Sequence, residues 1–62
     1  MTRKQLAEKA KIARRAGSAN LGDGVLLVFH STGFSWYFSL VSGDGNTIDT
    51  ATDPMQFDYI CD

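Results

Sequence analysis

Residues 25–41 read Val-Leu-Leu-Val-Phe-His-Ser-Thr-Gly-Phe-Ser-Trp-Tyr-Phe-Ser-Leu-Val. Val25 to His30 is apolar on both faces of an extended chain: Val25, Leu27 and Phe29 point one way, Leu26 and Val28 the other. A strand of that kind is central or covered on both sides. Ser31-Thr32-Gly33 is a tight connection with a glycine available for positive φ. From Phe34 to Val41, Phe34, Trp36, Phe38 and Leu40 alternate with Ser35, Tyr37, Ser39 and Val41, a period of two that specifies a strand. The four large residues are expected to form most of the core. Two adjacent strands with a short connection pair antiparallel.

Working outward, Ser42-Gly43-Asp44-Gly45-Asn46 carries every local turn signal. Thr47 to Thr52 is Thr-rich and polar, which suits an edge strand. Ser18 to Gly24, rich in Gly and Asn, reads as a loop. Upstream of it, residues 3–16 read as a helix: Thr2 and Gln5 form a capping box, Ala recurs without interruption, and Gly17 stops it. Leu6, Ala10 and Ala13 share one face, flanked by Ile12 and Ala16, with Arg3, Lys4, Lys11, Arg14 and Arg15 opposite. At the C-terminus Asp53-Pro54 and Gln56 have the spacing of N-cap, N1 and N3, which favours a short helix. The alternation of Met55, Phe57, Tyr59 and Cys61 also permits a strand. The expected architecture is a single α+β domain over residues 1–62. An N-terminal helix packs on a three-stranded antiparallel meander, with a short C-terminal helix or fourth strand. The second sheet face, with Leu26, Val28, Tyr37 and Val41, is then covered by that last element or by a second copy of the chain.

The chain has 62 residues, 44 % hydrophobic and 21 % charged, with one Cys, one His and one Pro. That is a globular composition of one small domain, too short for a barrel of eight β/α units or a two-half dinucleotide fold. The only continuous apolar run, Val25 to Phe29, falls far short of the roughly 20 residues a membrane span needs. No apolar stretch follows the basic start, so it does not read as a secretory signal. Glu8 and the absence of Ser before Ser18 argue against a mitochondrial presequence. A lone Cys61 cannot close an intramolecular disulfide, and a cytoplasmic protein is expected.

The motifs of catalysis are missing. His30 and Ser31 are adjacent and leave opposite faces of an extended chain, so they do not form a nucleophile and its base. The run Asp44-Gly45-Asn46-Thr47-Ile48-Asp49 opens like a calcium loop, then places Ile48 at a ligand position and Asp49 where Gly is required. Gly22-Asp23-Gly24 and Gly43-Asp44-Gly45 lack the third glycine of a phosphate cradle. No enzyme, metal or cofactor is expected.

The charge layout is uneven. All six Lys and Arg lie within the first fifteen residues, beside the single Glu8; every later charge is one of six Asp, and no Lys or Arg follows Arg15. One consequence is mutual neutralisation of helix and sheet. The other is a surface for partners. Asp has few rotamers, so Asp23, Asp44, Asp49, Asp53 and Asp58 present negative charge at positions set by the backbone, as a phosphate backbone does. In size, in its one compact α+β unit and in this Lys/Arg-free, Asp-bearing tract, the chain resembles the small anti-CRISPR proteins that phages and mobile elements encode. That resemblance implies a non-enzymatic inhibitor. It would act in the host cytoplasm as a partial DNA mimic, and its acidic surface would block the basic nucleic-acid-binding groove of a CRISPR effector complex or defence nuclease. The alternative is a small DNA-binding regulator using Arg3, Lys4, Lys11, Arg14 and Arg15.

Overall fold

The computed structural model describes residues 1–62. Helix α1 spans Arg3–Ala16, followed by strands β1 (Ser18–Gly22), β2 (Val25–Ser31), β3 (Trp36–Ser42) and β4 (Thr47–Ala51), and by a 3₁₀ segment over Pro54–Ile60. The strands form one antiparallel sheet in the order β1-β2-β3-β4. The architecture is α+β: a helix on a meander, with a short C-terminal helical element.

The helix begins and ends where its caps place it. Thr2 Oγ1 accepts the Gln5 N–H at 3.1 Å and Gln5 Oε1 accepts the Thr2 N–H at 2.8 Å, a complete capping box. Gly17 stops it at φ 95°, donating its N–H to the Ala13 carbonyl. A Cβ at Gly17 would meet nothing, yet that φ strains any side chain. Gly17→Ala is therefore expected to destabilise the domain by about 1 kcal/mol in a urea titration.

Residues 18–24, expected as a loop, contain a fourth strand instead. Ser18 pairs with Val28 and Ala19 with Leu27. Ala19 is buried and Leu21 half-buried, while Ser18 and Asn20 face outward. That alternation is short and weakly apolar, so local composition hides it. Asp23 (φ 54°) and Gly24 (φ 76°) close the β1–β2 hairpin with positive φ at both central positions, as a type I′ turn requires.

The core comprises Leu6, Ala10 and Ala13 from α1, Ala19, Leu27, Phe38 and Leu40 from the sheet, and Phe57 from the 3₁₀ segment. Small Ala side chains let α1 lie close over β1 and β2. The 3₁₀ segment packs beside α1 on the same face and reaches β4. It therefore does not cover the second face, as the sequence had allowed. Leu26, Val28, Tyr37 and Val41 do lie on that face, with His30 stacked on Tyr37 at 4.5 Å, and no element of the chain crosses it.

The expectation for the aromatic strand is half corrected. Phe38 and Leu40 are buried, whereas Trp36 is 55 % exposed and Phe34 wholly so. The cause is the reach of the helix. The chain leaves α1 at Gly17, whose carbonyl accepts the Phe29 N–H at 2.9 Å, and Phe29 is the register partner of Phe38. The β2–β3 hairpin projects beyond that level. Phe34 itself sits in the turn that joins the two strands, outside β3.

Candidate functional site

The acidic residues are each placed for a local reason. Asp23 lies in the β1–β2 turn and Asp44 in the β3–β4 turn. The two turns abut: a Cβ on Gly43 would stand 3.2 Å from the Gly24 carbonyl oxygen. Asp49 is on the edge strand β4, Asp53 caps the 3₁₀ segment at the opposite end, and Asp58 lies within that segment. The structure thus brings Asp44, Asp49, Asp53 and Asp58 along the β4 and 3₁₀ side, with Asp23 at its corner rather than in line.

Their engagement differs in ways the sequence did not reveal. Asp49 Oδ1 accepts the Thr50 N–H at 2.8 Å and its Oδ2 accepts the Tyr59 hydroxyl at 2.7 Å. Both oxygens of Asp49 are used inside the molecule, and the side chain satisfies a backbone N–H of an edge strand, a guard against pairing with other chains. Asp44 accepts from the Ser42 hydroxyl and from the backbone and side chain of Asn46. Asp53 Oδ1 caps Met55 N–H at 2.9 Å and leaves Oδ2 free. Asp58 Oδ2 pairs with Arg3 at 3.0 Å, and Asp62 with the N-terminal amine at 3.3 Å.

Two of these contacts have titration consequences. The Ser42 hydroxyl, aided by Asn46, holds the Asp44 carboxyl below its usual range. Its contribution to stability is present above the ordinary Asp pKa and is lost as pH falls through the lowered value. The hydrogen bond to Asp49 raises the Tyr59 phenol above its usual pKa. That contribution is complete below the ordinary phenol pKa and disappears as pH rises through the raised one. By ultraviolet titration, Tyr59 is expected to ionise at higher pH than a free tyrosine. Asp49→Asn should remove that elevation; an unchanged Tyr59 profile in the variant would show that the contact does not form.

The cations lie on α1. Arg3, Lys4, Lys11, Arg14 and Arg15 are exposed on α1. Only Arg3 makes an ion pair; Arg14 instead lays its guanidinium over the Phe38 ring, 5.2 Å from the centroid. Mutual neutralisation of helix and sheet is thus confined to one bridge, Arg3–Asp58, plus the pairing of the termini. Every Lys and Arg is thus carried by α1, and every Asp by the turns, β4, the 3₁₀ segment and the C-terminus.

No three His, Cys, Asp or Glu side chains are grouped to hold a metal ion. Cys61 is half-buried against the core. No helix is long and apolar enough to cross a membrane. The surface has two depressions. One lies among Met1, Leu21, Asp23, Val25 and Ile60. The other lies among Phe34, Ser35, Trp36, Thr52 and Asp53. The sequence missed the second because it assigned both aromatics to the core. Neither protein-family models, nor curated proteins, nor solved structures give a match to this chain.

Proposed function

We propose that the chain is a non-enzymatic binding protein of the anti-CRISPR kind, acting in the cytoplasm. Its Asp-bearing surface, with Asp23, Asp44, Asp49, Asp53 and Asp58, occupies a basic nucleic-acid-binding groove on a CRISPR effector complex or defence nuclease. The observation that supports this reading is the segregation of charge: every Lys and Arg lies on α1, and every charge after it is an Asp. A surface of fixed carboxylates from a tract without Lys or Arg attracts a Lys/Arg-lined groove and repels phosphate. Because most of these carboxylates are held by turns and caps, they lose little freedom on binding.

The test is a displacement titration. Labelled duplex DNA is bound to purified CRISPR effector complexes, and a stoichiometric amount of the chain is added. Loss of bound DNA from at least one complex is expected. Retention of DNA by every complex tested overturns the assignment of partner.

A second reading has its own observation. Lys4, Lys11, Arg14 and Arg15 are exposed without anionic partners, an arrangement that suits contact with phosphates. A DNA-binding regulator built on α1 would bind duplex DNA by itself, with an affinity that falls steeply with added salt.

A further inference from the structure

We propose that the notch between the β2–β3 turn and the start of the 3₁₀ segment is a guanidinium-binding site, one that receives an arginine side chain of a partner protein. Its walls are Phe34, Ser35, Trp36, Thr52 and Asp53. The β3–β4 ladder ends at the Phe38–Ala51 pair, and Trp36 and Asp53, each two residues beyond it, both line the depression. An aromatic face and a carboxylate therefore meet across one small depression.

The site is fixed before any ligand arrives. Thr32 N–H donates to the Ser35 carbonyl at 2.9 Å, and Ser35 N–H donates to Thr32 Oγ1 at 3.3 Å. These bonds lock the turn that carries Phe34. Asp53 is held as the N-cap by its Oδ1, while Oδ2 has no partner. A wholly exposed Phe beside a half-exposed Trp is apolar area that a partner can cover, and aromatic residues are the common anchors of interfaces.

The chemistry selects the occupant. Arginine presents a planar, weakly hydrated cation that stacks on an indole and donates N–H groups in its own plane to a carboxylate. Lysine's compact, strongly hydrated ammonium stacks less well. A nucleic-acid base would stack too, but its phosphate would approach Asp53. None of the residues lining the notch is cationic, so no internal group competes. The inference rests on the proposed function for its setting, since a basic groove supplies arginines. Its test needs no partner.

Trp36 is the only tryptophan, so its indole resonance and fluorescence report on the notch alone. The chain is titrated with N-acetyl-arginine amide, with the uncharged citrulline analogue and with the lysine analogue, followed by NMR. The arginine compound should shift the Trp36 indole and the Phe34, Thr52 and Asp53 amides saturably. Citrulline should bind about fivefold more weakly, and lysine should also be weaker. Asp53→Asn keeps the cap, because Asn and Asp cap equally well. With an unchanged circular dichroism spectrum, it should lower arginine binding to the citrulline level. The site is refuted if Asp53→Asn binds arginine as the parent does, if lysine equals arginine, or if the shifts spread evenly over all the Asp-bearing segments. Preferential occupation of the notch by an oligothymidylate would refute it as well. Arginine capture without DNA displacement would retain this site and remove the proposed function. Displacement with no arginine capture would do the reverse.

Discussion

Phe57→Ala is expected to leave the domain largely unfolded. Phe57 is wholly buried and is the side chain that carries the 3₁₀ segment into the core shared by Leu6, Phe38 and Leu40. Truncating a buried Phe costs about 3–5 kcal/mol. A single core in a domain of this length rarely supplies more than about 3–5 kcal/mol. The loss therefore consumes most of what is available. Urea titration followed by circular dichroism measures it. Phe34→Ala supplies the contrast: its ring is fully exposed, so its effect should stay within about 0.5 kcal/mol. Equal destabilisation by the two variants would contradict the core described above.

The second large effect concerns binding. A triple variant, Asp44→Asn, Asp53→Asn and Asp58→Asn, should weaken DNA displacement by about a hundredfold, at about 1 kcal/mol for each interfacial charge removed. Asn is chosen because its one carbonyl oxygen retains the bonds accepted by Oδ1 of Asp44 and of Asp53, giving up only the Asn46 side-chain contact at Asp44. Asp49 is left in place because both of its oxygens serve Thr50 and Tyr59. A matched variant on the other side, with Lys11, Arg14 and Arg15 changed to Gln, should displace DNA as the parent does. Loss of displacement in the second variant and not in the first would move the function to α1.

Much of this fold is legible in the sequence, and the failures have physical causes. The capping box at Thr2 and Gln5, the stop at Gly17 and the Asp53-Pro54 start are local, and each forms as its residue types dictate. The alternation correctly sorts side chains between two faces from Trp36 to Val41. It contains nothing about how far α1 reaches, so Phe34 and Trp36 pass for core residues and are surface residues. The strand Ser18–Gly22 is hidden because its inward positions are only Ala19 and Leu21. The Asp23-Gly24 pair was its available signal. The place of the last segment depends on Phe57 finding the core beside α1, a tertiary choice that periodicity does not encode.

The candidate site divides in the same way. The caps and turns of Asp23, Asp44 and Asp53 follow from neighbours in sequence. The Asp49–Tyr59 and Arg3–Asp58 contacts join residues far apart in the chain and become visible only with the fold. The collection of acids along β4 depends on the meander bringing the 3₁₀ segment back beside that strand.

The central claim is that the acidic side, and not the basic helix, is the functional face. Gel retardation of duplex DNA by the purified chain, at low and at moderate salt, tests it most directly. No retardation is expected at either salt, because the chain as a whole carries a net charge of −1 and its Asp residues repel phosphate. Retardation at low salt that disappears as salt is added would contradict it and place the function on Lys4, Lys11, Arg14 and Arg15.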